Sequence, residues 1–182
     1  MQKAKPIAKG FVCEYKISVF TGNCNGASTN APIIVKLYGT NGHTNFYDLT
    51  QSQTHPVPFL KGQTDVFALQ TYHVGDLVGI IIGHDRKDMR MNTNLCSRTN
   101  RTFFMFLGAS WFLNKVTIED PIRNLTYEVP CNAWLSIKSH DQRTIRTFPV
   151  LSTTPSKQKS LFIYLSRNNN FHLFVCRTTR FD

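Results

Sequence analysis

A chain of 182 residues with 41% hydrophobic and 12% aromatic residues is long enough for one domain with a sizeable core, and this composition excludes disorder throughout. Its 21 Lys and Arg against 11 Asp and Glu give a formal net charge of +10, which favours a polyanionic partner such as a phospholipid surface or a nucleic acid. No apolar run approaches the ~18 residues of a membrane span, and residues 1–10 lack the apolar stretch of a secretory signal. We therefore expect this segment to be soluble.

The basic charge is concentrated outside the most apolar part of the chain. Residues 15–82 carry three Lys and three Asp, so this stretch is neutral. Residues 83–110 carry a charge of +3, and residues 138–182 carry eight basic and two acidic side chains. This distribution predicts a near-neutral folded body whose basic appendages make the contact with a polyanion.

The cysteines show neither a disulfide framework nor a zinc site. Five cysteines at wide spacings include no CxxC pair and no Cys/His cluster. An odd number in this arrangement favours reduced thiols inside a cell.

Short β-rich runs separated by turn residues predict an all-β fold of eight antiparallel strands closed as a two-sheet sandwich. The first run alternates apolar Tyr15, Ile17 and Val19 with polar neighbours, which buries one face of a strand. An Asn41-Gly42 hairpin signal follows the second run, and residues 77–85 form a continuous apolar run. The predicted strands are 12–20, 33–39, 43–49, 64–71, 77–85, 111–120, 125–129 and 133–137.

Two stretches do not fit this pattern of short strands separated by turns. Residues 86–110 are predicted to form a long loop, with an extra strand at the apolar FFMFL as an alternative. The chain after Lys138 is interpreted as a basic linker, followed by two apolar segments that could pair as strands or start helices. The predicted organisation is a basic lead (1–11), a sandwich (12–137) and a basic tail (138–182).

Several separated anchors occur in one order along the chain. They are Thr21-Gly22, the Leu-Tyr-Gly that ends at Gly39, Asp65-x-Phe67, Gly-x-Leu before His84-Asp85, Trp-Phe-Leu from Trp111, and Cys-Asn-x-Trp-Leu ending at Leu135. In this order they resemble the PLAT domain, the polycystin-1/lipoxygenase/alpha-toxin module, over residues 15–135. The two tryptophans are expected to be buried at opposite ends of the sandwich, and Pro130 is expected to end a strand. The predicted core consists of Ile17, Val19, Val35, Leu37, Phe67, Leu69, Ile80, Ile82, Trp111, Val116, Ile118 and Trp134.

The Trp-Phe-Leu-x-x-Val form and the aromatic, basic tail look most like the polycystin-1 branch of this family. That resemblance implies a module on the cytoplasmic face of a membrane, within a larger multi-pass membrane protein. Residues 88–107 have no counterpart in the family pattern, so they are either an insertion or an error of the gene model.

The resemblance also implies a calcium site in loops at one end of the sandwich. The resemblance implies that the ligands lie at the positions that match those of the family, which are Ser28, Thr29, Asn30, Asn41 and Asp85. Calcium prefers several charged oxygen ligands, and this chain has Asn30 where many members carry an acidic residue. The missing carboxylate favours a plain polar turn over a calcium site.

Enzymatic activity is not expected. His84 and Asp85 are adjacent in sequence, but no nucleophile-elbow pattern such as GxSxG accompanies them. Asp85 is interpreted as a cap at the junction of a strand and a loop.

Basic residues interleaved with aromatic ones suit an anionic membrane interface. Single-stranded nucleic acid is an alternative partner for such a pattern, although no RNP, KH or zinc pattern supports it. A solvated linker is the third reading of the same residues. The predicted lipid or anion contacts are Arg86, Lys87, Arg90, Arg98, Arg101, Lys157, Lys159, Arg177 and Arg180.

The sequence thus favours a non-enzymatic module that binds anionic phospholipid, protein partners or both as the regulatory domain of a polycystin-1-like membrane protein. An accessory lipid-targeting domain of a lipase- or lipoxygenase-like enzyme is the second hypothesis. A basic nucleic-acid-binding module is the third hypothesis, and it rests on net charge alone.

Overall fold

Ten β-strands and no helix make up the regular structure of residues 12–84, 110–138 and 141–156, which are the residues that the computed structural model describes. This described part therefore contains no helix able to span a membrane. The strands are β1 (Val12–Thr21), β2 (Ile33–Gly39), β3 (Gly42–His43), β4 (Tyr47–Asp48), β5 (Thr64–Tyr72), β6 (Leu77–His84), β7 (Trp111–Asp120), β8 (Leu125–Leu135), β9 (Ile145–Pro149) and β10 (Ser152–Pro155).

The strands form two antiparallel sheets that pack on one hydrophobic core. Sheet A has the order β10-β8-β7-β1-β5, and sheet B has the order β3-β2-β6-β9, with β4 also paired to β2. The predicted all-β antiparallel sandwich is confirmed, with ten strands in place of the eight expected. The basic lead, the insertion 88–107 and residues 157–182 lie outside the described residues.

Strand β8 joins two stretches that the sequence predicts as separate strands. The expectation that Pro130 ends a strand is wrong, because Pro130 lies inside β8 opposite Lys115. The register between β7 and β8 shifts beside it, and Asn132 has a φ of 44°. A proline lacks the N–H that a regular ladder needs, so a bulge is one of the few places where a sheet accepts it.

The predicted strand 43–49 is split into β3 and β4 by the side chain of Thr44. Its Oγ1 accepts the backbone N–H of Leu37 at 3.0 Å and donates to the carbonyl of Asn45 at 2.7 Å. This hydroxyl takes the place of a backbone partner for β2, so the edge of sheet B is interrupted there.

The sandwich extends beyond the predicted boundary at residue 137. Strand β9 pairs with β6 in sheet B, and β10 pairs with β8 in sheet A, so the chain crosses between the sheets at Val150 and Leu151. The interpretation of residues 145–155 as linker is a misassignment. Both strands are short and carry prolines, as edge strands tolerate.

The core is built from the inward-facing residues of both sheets. Trp111 is fully buried, and its Nε1–H donates to Thr21 Oγ1 at 3.1 Å. Trp134 differs from expectation: it is half-buried, because it lies opposite Phe112 on the outer side of sheet A. Trp111 pairs with Leu135 in the adjacent register position, so the two tryptophans lie at the same end of the sandwich, and the prediction of opposite ends is wrong.

The two ends of the sandwich differ in their connections. We term one end the loop end. It contains residues 22–32, 49–63 and 136–144, together with His84 and Ser110, which flank the segment between β6 and β7. At the turn end lie the short connections 40–41, 73–76 and 121–124.

Candidate functional site

An aromatic pair forms the centre of the loop end. The rings of Phe112 and Trp134 lie 5.2 Å apart on the outer side of sheet A. Gly22 donates its N–H to the carbonyl of Phe112 at 2.8 Å, and a Cβ at Gly22 would collide with the Phe112 ring. Gly26, with a φ of 78°, lies against Trp134. The glycines of the β1–β2 loop therefore allow this loop to pack directly on the two rings.

The buried carboxylate of Asp65 organises the β4–β5 loop. Its two oxygens accept hydrogen bonds from the Phe59 backbone N–H at 2.7 Å and from the Ser52 hydroxyl at 3.2 Å, and Oδ1 lies 3.0 Å from His55 Nδ1. Phe59 packs its ring on Trp111 at 5.4 Å, and its carbonyl accepts the N–H of Thr29. This carboxylate thus links the loop to the core and to the neighbouring β1–β2 loop.

Lys61 projects from this ordered loop. Its backbone N–H donates to Ser28 Oγ at 2.8 Å, and its Nζ donates to Asn25 Oδ1 at 3.0 Å. The ammonium is therefore held beside the β1–β2 loop by a neutral amide oxygen, and no acidic side chain takes part in this contact.

The β8–β9 loop adds further cations at the same end. Arg146 donates through Nη2 to Asp141 Oδ1 at 2.7 Å and to the carbonyl of Trp134 at 3.1 Å. Lys138 and Arg143 are exposed. Asp141 is the one carboxylate in the described parts of the loops 22–32, 49–63 and 136–144. The loop end therefore combines a positive surface with a half-buried aromatic pair.

The residues predicted as calcium ligands do not come together in the structure. Asn41 lies at the turn end, where its N–H donates to Val74 O, whereas Asn30 is exposed at the loop end. The seven residues of β2 separate the two ends by about 20 Å at the usual rise of a strand. The expectation of ligands at one end is therefore wrong for Asn41.

Two described candidates remain. Ser28 Oγ accepts the N–H of Lys61 at 2.8 Å. Thr29 is 1% exposed, and its Oγ1 accepts the N–H of Ala31 at 3.1 Å. Asp85 lies outside the described residues. Within the described residues, no group of three His, Cys, Asp or Glu side chains is placed to hold a metal. This donor set does not fit a cation that prefers several carboxylate oxygens.

The predicted lipid contacts, Arg86 to Arg101 and Lys157 to Arg180, all lie outside the described residues. The structure shows a different set of residues at the loop end: Lys61, Trp134, Lys138 and Arg143. Sequence reasoning missed this set because its members are scattered along the chain and meet only when the sandwich closes. Lys61-Gly62 before a predicted strand was the available signal, since a turn exposes its lysine.

A hydrogen-bonded pair of a partly buried His73 and a fully buried Asp120 lies at the turn end, away from the loops. Gly75 donates its N–H to His73 Nδ1 at 3.3 Å, which leaves the proton on Nε2, and Nε2 donates to Asp120 Oδ2 at 2.7 Å. Asp120 also accepts the N–H groups of Ile122 and Arg123. The hydrogen bond between His73 and Asp120 links the β5–β6 connection to the β7–β8 turn.

Tyr15 and Cys13 of the core lie beside this pair. The His73 ring stacks on Tyr15 at 6.0 Å, and Tyr15 is completely buried. Burial raises the pKa of the nearby Cys13 thiol to about 11, although a hydrogen bond with Tyr15 acts in the opposite direction. Because the thiolate is the nucleophilic form, this cysteine is protonated and inert near neutral pH.

Comparisons with known proteins agree with the architecture. The family model of the PLAT/LH2 domain matches residues 15–149. Lipoxygenase homology domain-containing protein 1 of Mus musculus is 31% identical over 134 residues, which cover 74% of this chain and 6% of that protein. Polycystin-1-like protein 3 of Mus musculus is 27% identical over 148 residues, covering 81% of this chain and 6% of that protein. The chain thus spans about 6% of the length of these curated relatives.

Solved lipoxygenase structures share the fold. A coral 8R-lipoxygenase, whose structure was described in terms of calcium activation through a C2-like domain, matches with a TM-score of 0.56 and 22% identity, over 76% of this chain and 17% of that one. A second lipoxygenase structure matches with a TM-score of 0.57 and 21% identity, over 76% of this chain and 16% of that one. At these identities the similarity concerns the fold alone.

Proposed function

The chain belongs to the PLAT/LH2 domain family, and from that premise we propose that it is a non-enzymatic interaction module that docks on an anionic phospholipid surface through its loop end. The observation that carries this proposal is the joint position of the Phe112–Trp134 pair and the cations Lys61, Lys138 and Arg143. An amphipathic ring beside basic side chains suits the boundary between headgroups and acyl chains.

The expected affinity is modest. Each basic residue near an anionic surface contributes about 1 kcal/mol, so three cations supply roughly 3 kcal/mol. Partial insertion of the Trp134 ring adds to this attraction. Binding of this strength is reversible and salt-dependent, as suits regulation of a larger protein.

The two ends of the sandwich are alternative contacts with a membrane. Ser156 donates its N–H to Asn124 O at the turn end, and Lys157 follows directly. Strand β1, with ten residues, makes the sandwich about 30 Å long at the usual rise of a strand. One flat bilayer perpendicular to the strands therefore cannot contact both ends at once. The joint position of Trp134, Lys61, Lys138 and Arg143 leads us to propose the loop end as the contact.

We further propose that the module serves as a regulatory domain on the cytoplasmic face of a polycystin-like membrane protein. The alignment with Polycystin-1-like protein 3, which covers 81% of this chain, supports this setting. An accessory domain of a lipoxygenase-like enzyme is the second candidate, favoured by the fold shared with coral 8R-lipoxygenase. The gene sequence on either side of these 182 residues separates the two settings, since one requires membrane spans and the other a catalytic domain.

The lipid proposal is tested by flotation of the 182-residue chain with vesicles of phosphatidylcholine, alone or mixed with phosphatidylserine or a phosphoinositide, at low salt. We expect recovery with the anionic vesicles only. Charge reversal in the double variant Lys138→Glu/Arg143→Glu should weaken partitioning at least about tenfold. Equal recovery with neutral and anionic vesicles would rule out an anionic lipid contact.

The matched control is Lys157→Glu/Lys159→Glu, which changes the net charge by the same amount in the sequence that follows Ser156. We expect this variant to retain most of its binding. If instead it loses binding while the loop-end variant keeps it, the membrane contact lies in the tail, and the proposed loop-end contact is wrong.

A further inference from the structure

Strand β5 forms one edge of sheet A. Among the described strands it pairs only with β1, and the register between them has no bulge. The nine residues of β5 include no proline, lysine or arginine, and the one charged side chain, that of Asp65, is buried. Edge strands in natural proteins usually carry a proline, an exposed charge or a bulge, because these features prevent pairing with another chain. Strand β5 has none of them.

The other described edges of the two sheets are protected in this way. In sheet A the opposite edge is β10, which has four residues and ends at Pro155. In sheet B one edge is β9, which ends at Pro149, and the other is formed by β3 and β4, which have two residues each and are separated at Thr44. Short length and proline both limit pairing with a further strand. Strand β5 is therefore the described edge that is best suited to accept one.

The open hydrogen-bonding groups of β5 lie in its second half. The N–H of Val66 donates to Thr54 Oγ1 at 3.2 Å, and its carbonyl accepts an N–H of the β4–β5 loop at 2.7 Å, so the backbone of Val66 points away from β1. Backbone groups along a strand alternate in direction, so those of Ala68, Gln70 and Tyr72 point to the same side. The loop covers only the beginning of the edge, and no described backbone group bonds these three residues on that side.

A groove lies beside these backbone groups, between β4 of sheet B and β5 of sheet A. Its volume is about 250 Å³. Its apolar lining includes Tyr47, Leu49, Phe67 and Leu69, and its polar lining includes Asp48 and Gln51. The hydroxyl of Tyr47 donates to Thr71 Oγ1 at 3.1 Å and so links the two sheets beside the groove. A strand added to β5 would direct every second side chain toward this groove.

We propose that β5 accepts an extended segment of a partner protein as a sixth strand of sheet A, and that an apolar side chain of this segment lies in the groove. Two independent features specify this occupant. The backbone groups of Ala68, Gln70 and Tyr72 match the alternating donors and acceptors of an extended chain, and the groove accepts one of its side chains. In this mode of recognition, main-chain hydrogen bonds supply affinity and the groove supplies specificity.

Other occupants match only one of these features or neither. In a second copy of this chain, the side chains of Phe67, Leu69 and Thr71 on β5 are buried in that copy's own core, so pairing of two β5 edges would leave both grooves empty. A helix satisfies its own backbone groups and offers none to the edge. A lipid surface supplies no partners for exposed strand groups. The edge of β5 is therefore an interaction surface separate from the loop end.

The test uses a displayed library of linear peptides in which Thr alternates with randomised residues, selected against the 182-residue chain. We expect the selected peptides to carry an apolar residue at a central randomised position, with Asp and Glu depleted there because Asp48 lies nearby. Binding should slow hydrogen exchange at the amides of Ala68, Gln70 and Tyr72 at least tenfold. The amides of Leu69 and Thr71 face β1 and should be protected before the peptide is added.

A pair of variants tests the backbone contact itself. Gln70→Pro removes an N–H that points away from β1, at an edge position where a sheet tolerates proline, and it should weaken peptide binding at least tenfold. Gln70→Thr keeps this N–H and is the matched control, which should bind as the wild-type chain does. If the melting temperature shows that Gln70→Pro is unfolded, N-methylated peptides make the same test. Methylation at the alternate residues whose N–H groups face β5 should abolish binding, and methylation at the residues between them should not.

Several results would overturn the proposal. They are failure to select a binder, a predominance of charged residues at the central position, binding that is insensitive to both Gln70→Pro and N-methylation, and the absence of alternating protection along β5. Slow exchange at Ala68, Gln70 and Tyr72 in the isolated chain at low concentration would show that another segment of the same chain covers the edge. Protection that appears without peptide as the protein concentration rises would assign the edge to a second copy instead.

Discussion

The Asp65 carboxylate accepts the backbone N–H of Phe59 at 2.7 Å, and Phe59 adopts a φ of 62°, which residues other than glycine rarely take. Asp65 is completely buried, and Phe59 is 3% exposed. One hydrogen bond thus holds the β4–β5 loop in a strained conformation that seats an aromatic ring against Trp111.

Replacement of Asp65 by Ala should therefore destabilise the domain strongly. The substitution leaves the Phe59 N–H and the Ser52 hydroxyl without their acceptor, and each such loss costs about 1–3 kcal/mol. We expect the free energy of unfolding to fall by about 2–4 kcal/mol, measured by urea denaturation. Asp48→Ala, at an exposed position of β4, is the control and should change stability by less than about 0.5 kcal/mol.

The two tryptophans should separate stability from lipid binding. Trp111→Ala removes a fully buried ring and should cost about 3–5 kcal/mol. Trp134→Ala removes a half-buried ring and should cost less, while it lowers recovery with anionic vesicles more than it lowers stability. A larger loss of stability for Trp134→Ala than for Trp111→Ala would contradict the burial of the two rings.

Much of the sandwich was predictable because alternation in β1, β2 and β7 directly marks their inner faces. The burial of Ile17, Val35 and Val116 follows from that alternation. The final two strands were not predictable in the same way. Strand β10 is exposed along its whole length, so its sequence contains no apolar face, and its place depends on backbone pairing with β8.

The candidate site was less predictable than the fold. The sequence separates Lys61 from Arg143 by many residues, and only the antiparallel order of the sheets brings their loops to one end. Asn41 shows the converse error. Its match to the family pattern implied a calcium ligand, but strand β2 separates Asn41 from the loop end, so this residue lies at the other end of the sandwich.

Alkaline pH should weaken the fold through Cys13. Burial raises the pKa of this thiol from 9.0 to about 11, so the unfolded chain releases the proton at a lower pH than the folded chain. The contribution of the protonated Cys13 thiol to the stability of the fold is complete below pH 9 and is lost as the pH rises toward 11. We expect the difference in unfolding free energy between the wild-type chain and Cys13→Ala to narrow by about 2 kcal/mol over this interval, followed by denaturation at fixed pH steps. A constant difference would show that the thiol ionises equally well in both states.

Docking on anionic vesicles should not depend on calcium. The described oxygen donors at the loop end are neutral or already paired, as Thr29 and Asp141 are, and calcium binds such sets weakly. We expect equal flotation in calcium and in a chelator. Recovery that rises with calcium and is lost in Asp85→Asn would instead indicate a site that includes this carboxylate.

Removal of residues 88–107 should leave the sandwich folded. His84 and Ser110 both lie at the loop end, and the five residues that remain between them after Lys87 is joined to Gly108 can reach about 20 Å. That reach exceeds the ~10 Å separation of packed sheets, so the shortened connection need not strain β6 or β7. Because loop length affects stability only logarithmically, we expect the unfolding free energy to change by less than about 1 kcal/mol.

The same deletion removes Arg90, Arg98 and Arg101, so a loss of anionic vesicle binding at unchanged stability would assign part of the lipid contact to this segment. A marked drop in melting temperature would show instead that the segment supports a neighbouring strand.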